Sequence, residues 1–401
     1  MYEPEIRRTL ANVLSYARGQ NYAGWDYVDG MSSRLLRALP FESKWLNLAV
    51  QETAKRAPIN LRPLFLIEQR RNFMGTALFA MANLTADDLV AGEADPLNRG
   101  PDVDYRTEGT ALLDWLLTDR RPGYSGFCGG HNHVIQGLHH RGPIEDPDLV
   151  STSYGVKALL RGARYDETYS EVARTAEEWA VNDMDYREVD GGAKITYFPK
   201  HPDDVYTLNA GAIGGRLFLD LYDYFGDDRL REYGEKILSY IADHQTSSGG
   251  WYYRVPADSS HLSMDNHHNG FIIESLQRHR EVTGSNRFDE TIDRAVEFYR
   301  DVLFEPDGAP NWDEDSAYPR DVHGAAQGIV VFTYAGDLEF ARRIIHWTRE
   351  NLSDDAGRFY FRKQRFYTKW ITLMRWCQAF MAYAISEYLA AAESRRQPGE
   401  A

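Results

Sequence analysis

The segment "SSGGWYYR" at residues 247–254 joins a glycine turn to a short aromatic run, and similar segments recur along the whole chain. The related segments are "GWDY" from Gly24, "SGFCGG" from Ser125, "GGAKITYF" from Gly191, "DGAPNW" from Asp307 and "AGRFYF" from Ala356. A unit that recurs at a regular interval indicates a repeat architecture. The stretches between these segments therefore decide the fold.

Two helical patterns separate each pair of neighbouring segments. Residues 210–225 are apolar almost all round and rich in glycine and alanine, whereas residues 288–303 carry apolar side chains on one stripe only. The two patterns alternate, and single glycines at Gly226, Gly284 and Gly336 divide them, followed by the candidate caps Asp227, Ser285 and Asp337. Glycine after a helix and Asp or Ser before the next one are the expected stop and start signals.

A helix that is apolar all round is buried on every side, whereas a striped helix is buried on one side. The alternation therefore predicts an all-α fold, an (α/α)6 toroid of inner and outer helices with short β-like crossings at one rim. The whole chain, residues 1–401, is expected to form this one domain, with an inner helix at residues 371–389 and its outer partner at residues 6–17. A seventh hairpin in residues 30–72 and an open solenoid are the alternatives.

The composition limits the classes of function. The chain has 401 residues, 43% apolar and 13% aromatic, which is typical of a folded globular protein. A formal charge of −15 excludes a nucleic-acid partner, because the chain as a whole cannot neutralise phosphates in bulk. Acidic residues are abundant and arginine greatly outnumbers lysine, which favours a halophilic source.

The sequence also bears on cellular location. The first residues, "MYEPEIRRTL", lack the apolar stretch of a secretory signal. The most apolar segment, residues 371–389, is interrupted by Arg375, Gln378 and Glu387, so we expect no membrane span and a cytoplasmic protein. Two cysteines, Cys128 and Cys377, can form at most one disulfide.

If the crossings share one rim, the residues that begin the inner helices converge on the mouth of the ring. These residues are mostly polar. The candidate site comprises Trp25, Asp26, Asp29, His131, His133, Gln136, Tyr154, Tyr206, Asn209, Asp265, Asn266, His267, His268, Arg320, Asp321, His323, Gln327, Tyr367, Lys369, Trp370, Arg375 and Trp376. Structural alternatives exist, since Asp265 and Asp321 can cap helices, histidines can be core residues, and Arg375 can pair with a buried carboxylate.

The functional interpretation is a carbohydrate pocket. Tryptophan and tyrosine faces stack on sugar rings, and Asp, Asn and His bind hydroxyl groups. Arg320, Lys369 and Arg375 in an acidic protein indicate an anionic group, such as a uronate carboxylate. Substrate-binding roles are predicted for Trp25, Asp29, His131, His133, Asn209, His268, Gln327, Lys369, Trp370, Arg375 and Trp376. No cofactor is expected, although Cys128 near His131 and His133 leaves a zinc site as an alternative.

Three phrases, "DNHHNGFIIESL", "YPRDVHGAAQ" and "RWCQAFMAYAISEYL", together with the predicted layout, resemble the six-hairpin glycosidase-like superfamily. The chain is also similar to proteins associated with cell-surface polysaccharide biosynthesis, and "RW" resembles the helical domain of uronosyl C5-epimerases. The resemblance implies a carbohydrate-active enzyme whose substrate is an oligosaccharide or polysaccharide, in surface polysaccharide or glycoprotein glycan metabolism.

Several activities fit this site. Epimerisation at C5 of a uronate needs two opposed acid–base groups, whereas an inverting glycosidase needs two separated carboxylates, and a lyase begins with the same proton removal. The catalytic candidates are Asp265, His267, Asp321, His323, Tyr154 and Tyr206. A glycan-binding or scaffold protein without catalysis is the non-enzymatic alternative.

Overall fold

The computed structural model describes residues 3–92, 94–98, 103–136, 141–199, 205–354 and 356–395. Its α-helices are α1 Glu3–Gly19, α2 Arg34–Arg37, α3 Lys44–Arg56, α4 Phe73–Leu89, α5 Tyr105–Asp119, α6 Leu149–Gly162, α7 Thr168–Arg174, α8 Ala176–Asn182, α9 Leu208–Phe225, α10 Asp228–Asp243, α11 Asn266–Thr283, α12 Asp289–Val302, α13 Val322–Tyr334, α14 Leu338–Leu352 and α15 Phe380–Ser394. A π-helical turn, Met374–Ala379, leads directly into α15.

Six helices form a closed inner ring. Helix α4 packs against α6, and contacts then continue in order through α9, α11, α13 and α15. Helix α15 packs in turn against α4, so the ring closes and the open solenoid is excluded. The outer partners are α5, α7 with α8, α10, α12, α14 and, for α15, the N-terminal helix α1. The predicted (α/α)6 toroid is therefore confirmed.

Burial explains why the two kinds of helix take these places. In α4 only Asp87 and Asp88 escape burial, as a helix surrounded by the core and by its neighbours requires. In α12 the buried residues are confined to one stripe that includes Ile292 and Phe298, and the opposite face is solvated. The difference in sequence pattern is thus a difference in the number of buried faces.

The hairpin turns follow the predicted chemistry, with one exception. Gly226 ends α9 in the left-handed conformation at φ 67°, and Asp227 caps α10 by accepting from the Arg229 amide at 3.0 Å. Asp337 caps α14 in the same way. Ser285 is not a helix cap, because its hydroxyl accepts from the Arg287 amide in a turn and α12 begins at Asp289.

Residues 20–72 do not form a seventh hairpin. They contain a 3-10 turn, Asp29–Ser32, the short α2, and α3, which packs on that turn and on β1 (Ile135–Gln136). Gly30 allows the contact between the turn and α3, because a Cβ there would lie 2.5 Å from the Gln51 Cα. We call residues 20–72 the mouth strap, since the segment lies beside the N-terminal ends of the inner helices.

The crossings carry the short strands. These are β1 Ile135–Gln136, β2 Arg141–Gly142, β3 Arg187–Val189, β4 Gly192–Lys194, β5 Tyr206–Thr207, β6 Arg254–Val255, β7 Arg320–Asp321, β8 Arg362–Lys363 and β9 Thr368–Lys369. They pair antiparallel as β1–β2, β3–β4, β5–β6 and β7–β8–β9. Strands β5 and β7 run directly into α9 and α13, so crossings and inner-helix N-termini lie at the same rim, the mouth. None of the helices in the described ranges is both long and apolar enough to cross a membrane.

Candidate active site

Three inner helices begin with an aspartate cap at the mouth. Asp148 accepts from the Ser151 amide at 2.7 Å, Asp265 from the His268 amide at 3.2 Å, and Asp321 from the His323 amide at 2.8 Å. The capping alternative for Asp265 and Asp321 is therefore correct. Asp148 was missed in the sequence, although it occupies the equivalent position before α6.

Asp321 is committed to further contacts. Its Oδ1 accepts from the Trp376 indole at 2.9 Å, and its Oδ2 accepts from Arg362. The residue is 4% exposed. With three donors already bound, Asp321 ties α13 to the β8 strand and the π-helical turn, and it has little capacity left for a substrate.

Asp265 holds two histidines. Its Oδ2 lies 2.7 Å from His268 Nδ1, and its Oδ1 lies 3.2 Å from His267 Nδ1. Burial alone would raise the pKa of Asp265, but His268 and His267 hold that pKa below its ordinary value. The carboxylate thereby fixes the orientation of both imidazoles.

His267 and His323 stack on each other at the mouth. Their ring centroids lie 4.9 Å apart at 27°, and the His323 ring also packs on Phe380 at 3.8 Å and edge-on to Trp376 at 4.4 Å. Among the described residues, neither ring nitrogen of His323 has a hydrogen-bond partner. Burial lowers the pKa of both histidines, that of His267 to about 3.

A second pair of histidines lies with the mouth strap. His131 and His133 are on the crossing before α6, and His131 Nε2 lies 3.9 Å from Asp148 Oδ2. Both ring nitrogens of His133 lack a partner in the described chain. Burial lowers the pKa of His133 to about 4, so this imidazole is uncharged at neutral pH. Burial also lowers the pKa of His131, and the charge of Asp148 opposes that effect.

Arg375 forms a buried ion pair with Asp26 of the mouth strap. Its Nε and Nη2 donate to both oxygens of Asp26 at 2.8 and 2.7 Å, in a bidentate pair that is almost fully buried. Burial is the largest cause of the lowered pKa of each of the four histidines, and the Arg375 cation lowers these pKa values further. We call His131, His133, His267 and His323, together with the Asp26–Arg375 pair, the histidine cluster.

Three other predicted residues lie away from the histidine cluster. Tyr154 lies inside the ring below the mouth, under the Arg216 guanidinium at 4.6 Å, and Gln327 donates there to Glu274 at 2.8 Å. Tyr206 packs edge-on against Tyr240 of the outer helix α10. These three predicted side chains belong to the packing of the ring, and burial raises the pKa of both predicted tyrosines.

The predicted residues on the mouth strap and β9 bind protein groups. Asp29 is fully buried against Arg62 at 2.9 Å, and the Trp25 indole donates to the Ile67 carbonyl at 3.3 Å. Lys369 Nζ donates to the Arg56 carbonyl at 2.8 Å. The remaining predicted residues are placed as follows: Asn209 is buried in the first turn of α9, His268 packs on Tyr253 with the rings tilted, Trp376 stacks on Tyr27, and Trp370 is exposed beside Tyr360.

Among the described residues, Asp265, His267 and His268 are a set close enough together to hold a metal ion, with ligand atoms within 4.8 Å of one another. The contacts of both imidazoles with Asp265 account for this proximity. Cys128, the thiol of the zinc alternative, instead lies 3.8 Å from the Arg121 carbonyl and is a free cysteine, as is Cys377.

The depressed histidine pKa values predict a pH dependence of stability. Between about pH 4 and 6.5 the unfolded chain binds a proton at His133 that the folded chain does not, so stability is lost as the pH falls through this window. For this histidine, the free energy of unfolding is expected to fall by about 1.4 kcal/mol for each pH unit within the window. Urea unfolding at several pH values measures this dependence. The free energy of unfolding should change less steeply with pH in His133→Phe than in the parent. Equal slopes would contradict the assignment.

No protein-family model matches this sequence, and neither does any curated protein. Similar solved structures include a sugar epimerase from a ruminal bacterium, 14% identical, with a TM-score of 0.62 over 81% of this chain and 90% of that one. A family 76 glycoside hydrolase (mannosidase) from Bacteroides thetaiotaomicron is 11% identical, with a TM-score of 0.61 over 98% of this chain and 100% of that one.

An unsaturated glucuronyl hydrolase from a Bacillus species is 11% identical, with a TM-score of 0.58 over 99% of this chain and 97% of that one. These neighbours are carbohydrate-active enzymes with different reactions on one architecture, so the likeness establishes the fold and leaves the reaction to the site. The chain therefore shares the (α/α)6 toroid fold of these enzymes.

Proposed function

We propose that the protein is a carbohydrate-active enzyme of the epimerase type, which moves a proton at a sugar carbon next to a carbonyl group. The observation that carries the proposal is the histidine cluster, in which buried imidazoles have ring nitrogens without protein partners in the described chain. A neutral imidazole is a competent general base. The structural neighbours include sugar epimerases.

The proposed step uses the two pairs of histidines. An imidazole of one pair, with His323 as our first choice, takes the proton from the carbon, and the bond's electron pair moves onto the carbonyl oxygen. The Arg375 cation stabilises the resulting enolate. His131, whose Nε2 lies 3.9 Å from Asp148 Oδ2, takes up a proton from solvent and returns it to the opposite face of the carbon, which inverts its configuration.

A glycosidase mechanism has less support. It needs a carboxyl group with a raised pKa as the acid and a second, available carboxylate. Asp265 has a lowered pKa, and Asp321 is occupied by Arg362, Trp376 and a backbone amide. Both therefore serve better as structural and orienting groups than as the acid–base pair of a hydrolase.

We propose a neutral sugar in place of the uronate that the sequence predicted. The three cations expected to bind a carboxylate have other partners: Arg375 binds Asp26, Lys369 binds a backbone carbonyl, and Arg320 lies 3.5 Å from Glu305. Asp148 Oδ2 meanwhile has no hydrogen-bond partner among the described residues, and a nearby substrate carboxylate would be repelled by it.

The test is solvent exchange. The protein is incubated in deuterated water with neutral reducing sugars and, separately, with uronate-containing oligosaccharides, and the products are followed by proton NMR. We expect loss of the proton next to the carbonyl group and the appearance of an epimer with the neutral sugars only.

Other outcomes identify other activities. New reducing ends without deuterium uptake would show a hydrolase, and an unsaturated product that absorbs in the ultraviolet would show a lyase. Exchange at C5 of uronates would restore the sequence-based prediction and overturn the neutral-sugar proposal. Binding without chemical change would show a glycan-binding protein.

A further inference from the structure

The most exposed large apolar side chains gather on one part of the surface. Ten of the fourteen found in the described ranges lie on the mouth strap or on the neighbouring β8–β9 hairpin. We call these ten the apolar rim: Leu35, Leu39, Phe41, Trp45, Ile59, Leu64, Leu66, Phe366, Tyr367 and Trp370. Trp45 is 71%, Phe366 87% and Trp370 62% exposed. Large apolar side chains that gather on a surface in this way mark an interaction site.

The two segments that carry the apolar rim are joined to each other. Lys369 Nζ, from the β8–β9 hairpin, donates to the carbonyl at the end of α3 at 2.8 Å. Within the mouth strap, the Ser33 hydroxyl donates to the Phe65 carbonyl at 2.6 Å and the Arg34 amide donates to the Leu66 carbonyl at 3.1 Å. The segments that carry the apolar rim are therefore attached to one another beside the mouth.

The charge of this surface is opposite to that of the chain as a whole. Residues 33–71 and 362–370 contain twelve arginines and lysines against three glutamates, and ten of these cations remain at the surface, because only Arg62 and Lys369 are buried. The chain has a formal charge of −15, so its anions are concentrated elsewhere. Exposed aromatic and aliphatic side chains among cations are typical of surfaces that lie on a membrane of anionic lipids.

We propose that the apolar rim docks on the surface of an anionic phospholipid bilayer, with Trp45, Phe366 and Trp370 inserted among the headgroups. Tryptophan suits this position, because its ring is apolar and its N–H can remain hydrated. The surrounding arginines and lysines attract the lipid phosphates. A second copy of the same surface fits poorly, because two sets of cations would face each other.

This docking would place the mouth of the toroid next to the bilayer. The histidine cluster is linked to the mouth strap through Asp26 and Arg62, whose Nη2 donates to the Asp26 carbonyl at 2.8 Å. A sugar carried by a lipid or held near the membrane surface would then reach the mouth directly. The docking itself does not depend on which reaction the site performs.

The test is co-sedimentation of the full chain with vesicles. We expect binding to phosphatidylglycerol vesicles and little binding to phosphatidylcholine vesicles, with the bound fraction falling as sodium chloride is added. The triple variant Trp45→Ser, Phe366→Ser, Trp370→Ser should lose roughly tenfold or more of its affinity. The matched control is Tyr224→Ser with Phe225→Ser, two exposed aromatic residues at the end of α9 away from the mouth, which should bind as the parent does.

Three results would overturn the proposal. These are a lack of binding to phosphatidylglycerol vesicles, equal binding of the triple variant, and equal binding to both lipids. Sedimentation velocity supplies a further check. A dimer that the triple variant dissociates would show that the apolar rim is an interface between two copies.

Discussion

Replacement of His323 by asparagine is expected to lower the turnover number about a hundred- to ten-thousandfold, because a positioned acid–base group contributes by that factor. Asparagine keeps a polar atom near the position of Nδ1 but cannot take up a proton. His323 is buried beside Trp376 and Phe380, and its ring nitrogens bind no group in the described residues. The fold should therefore survive, which circular dichroism and thermal unfolding can show.

The matched control is His279→Asn. His279 is also buried, on α11, but it lies toward the far end of that helix, where it pairs with Glu235 at 3.2 Å. We expect this variant to keep the parent's turnover. A folded His323→Asn protein with full activity would remove His323 from the mechanism. Loss of folding would show instead that the imidazole serves the packing of the mouth.

The second large effect is expected for stability. Replacement of Asp26 by asparagine leaves the Arg375 guanidinium buried without a counter-charge, which costs about 3–5 kcal/mol in comparable buried pairs. The pair is bidentate, at 2.7 and 2.8 Å, and it joins the mouth strap to the π-helical turn before α15. Denaturant unfolding should therefore show a clear loss in the free energy of unfolding.

Two comparisons make this result specific. The double variant Asp26→Leu with Arg375→Met removes both charges and should recover most of the lost stability. Asp88→Asn breaks the pair with Arg164, a pair of half-exposed side chains, and should cost about 1 kcal/mol or less. An Asp26→Asn protein as stable as the parent would show that Arg375 has another partner.

The activity of the same variants separates the roles of the pair. If Arg375 stabilises the enolate, the double variant should fold but turn over slowly. A stable double variant with normal activity would confine the Asp26–Arg375 pair to a structural role. The turnover of the epimerisation reaction is the measurement that decides between these alternatives.

Much of the fold could be predicted from local patterns. The all-round apolar pattern of residues 210–225 and the striped pattern of residues 288–303 each reflect the number of buried faces of one helix. Gly226 and Asp227 mark their own helix ends, because capping involves only neighbouring residues. Such signals need no knowledge of distant parts of the chain. The mouth strap lacks a regular period, and for that reason the alternative of a seventh hairpin was wrong.

The candidate site was predictable only as a region. The helix starts correctly placed His267 and His323 in the first turns of α11 and α13, and Asp148 could have been found by the same reasoning. His131 and His133 were expected to begin an inner helix, but they lie on the crossing before α6, which begins only at Leu149.

What the sequence could not show is which side chains pair. Tyr206 lies on β5, two residues before Leu208 begins α9, and its ring packs outward on Tyr240. Its place in the sequence suggested the mouth, but the direction of its side chain depends on how the crossing packs against α10.

Ring closure decided the rest. Asp26 and Arg375 are 349 residues apart, and they meet because α15 packs against α4 and brings the π-helical turn beside the mouth strap. The local pattern of the chain was enough to determine which helices are inner and which are outer, since the burial of a face determines the spacing of apolar residues. The local pattern did not determine which charged groups pair with each other. An ion pair depends on a distance of a few ångströms, and that distance exists only in the closed ring.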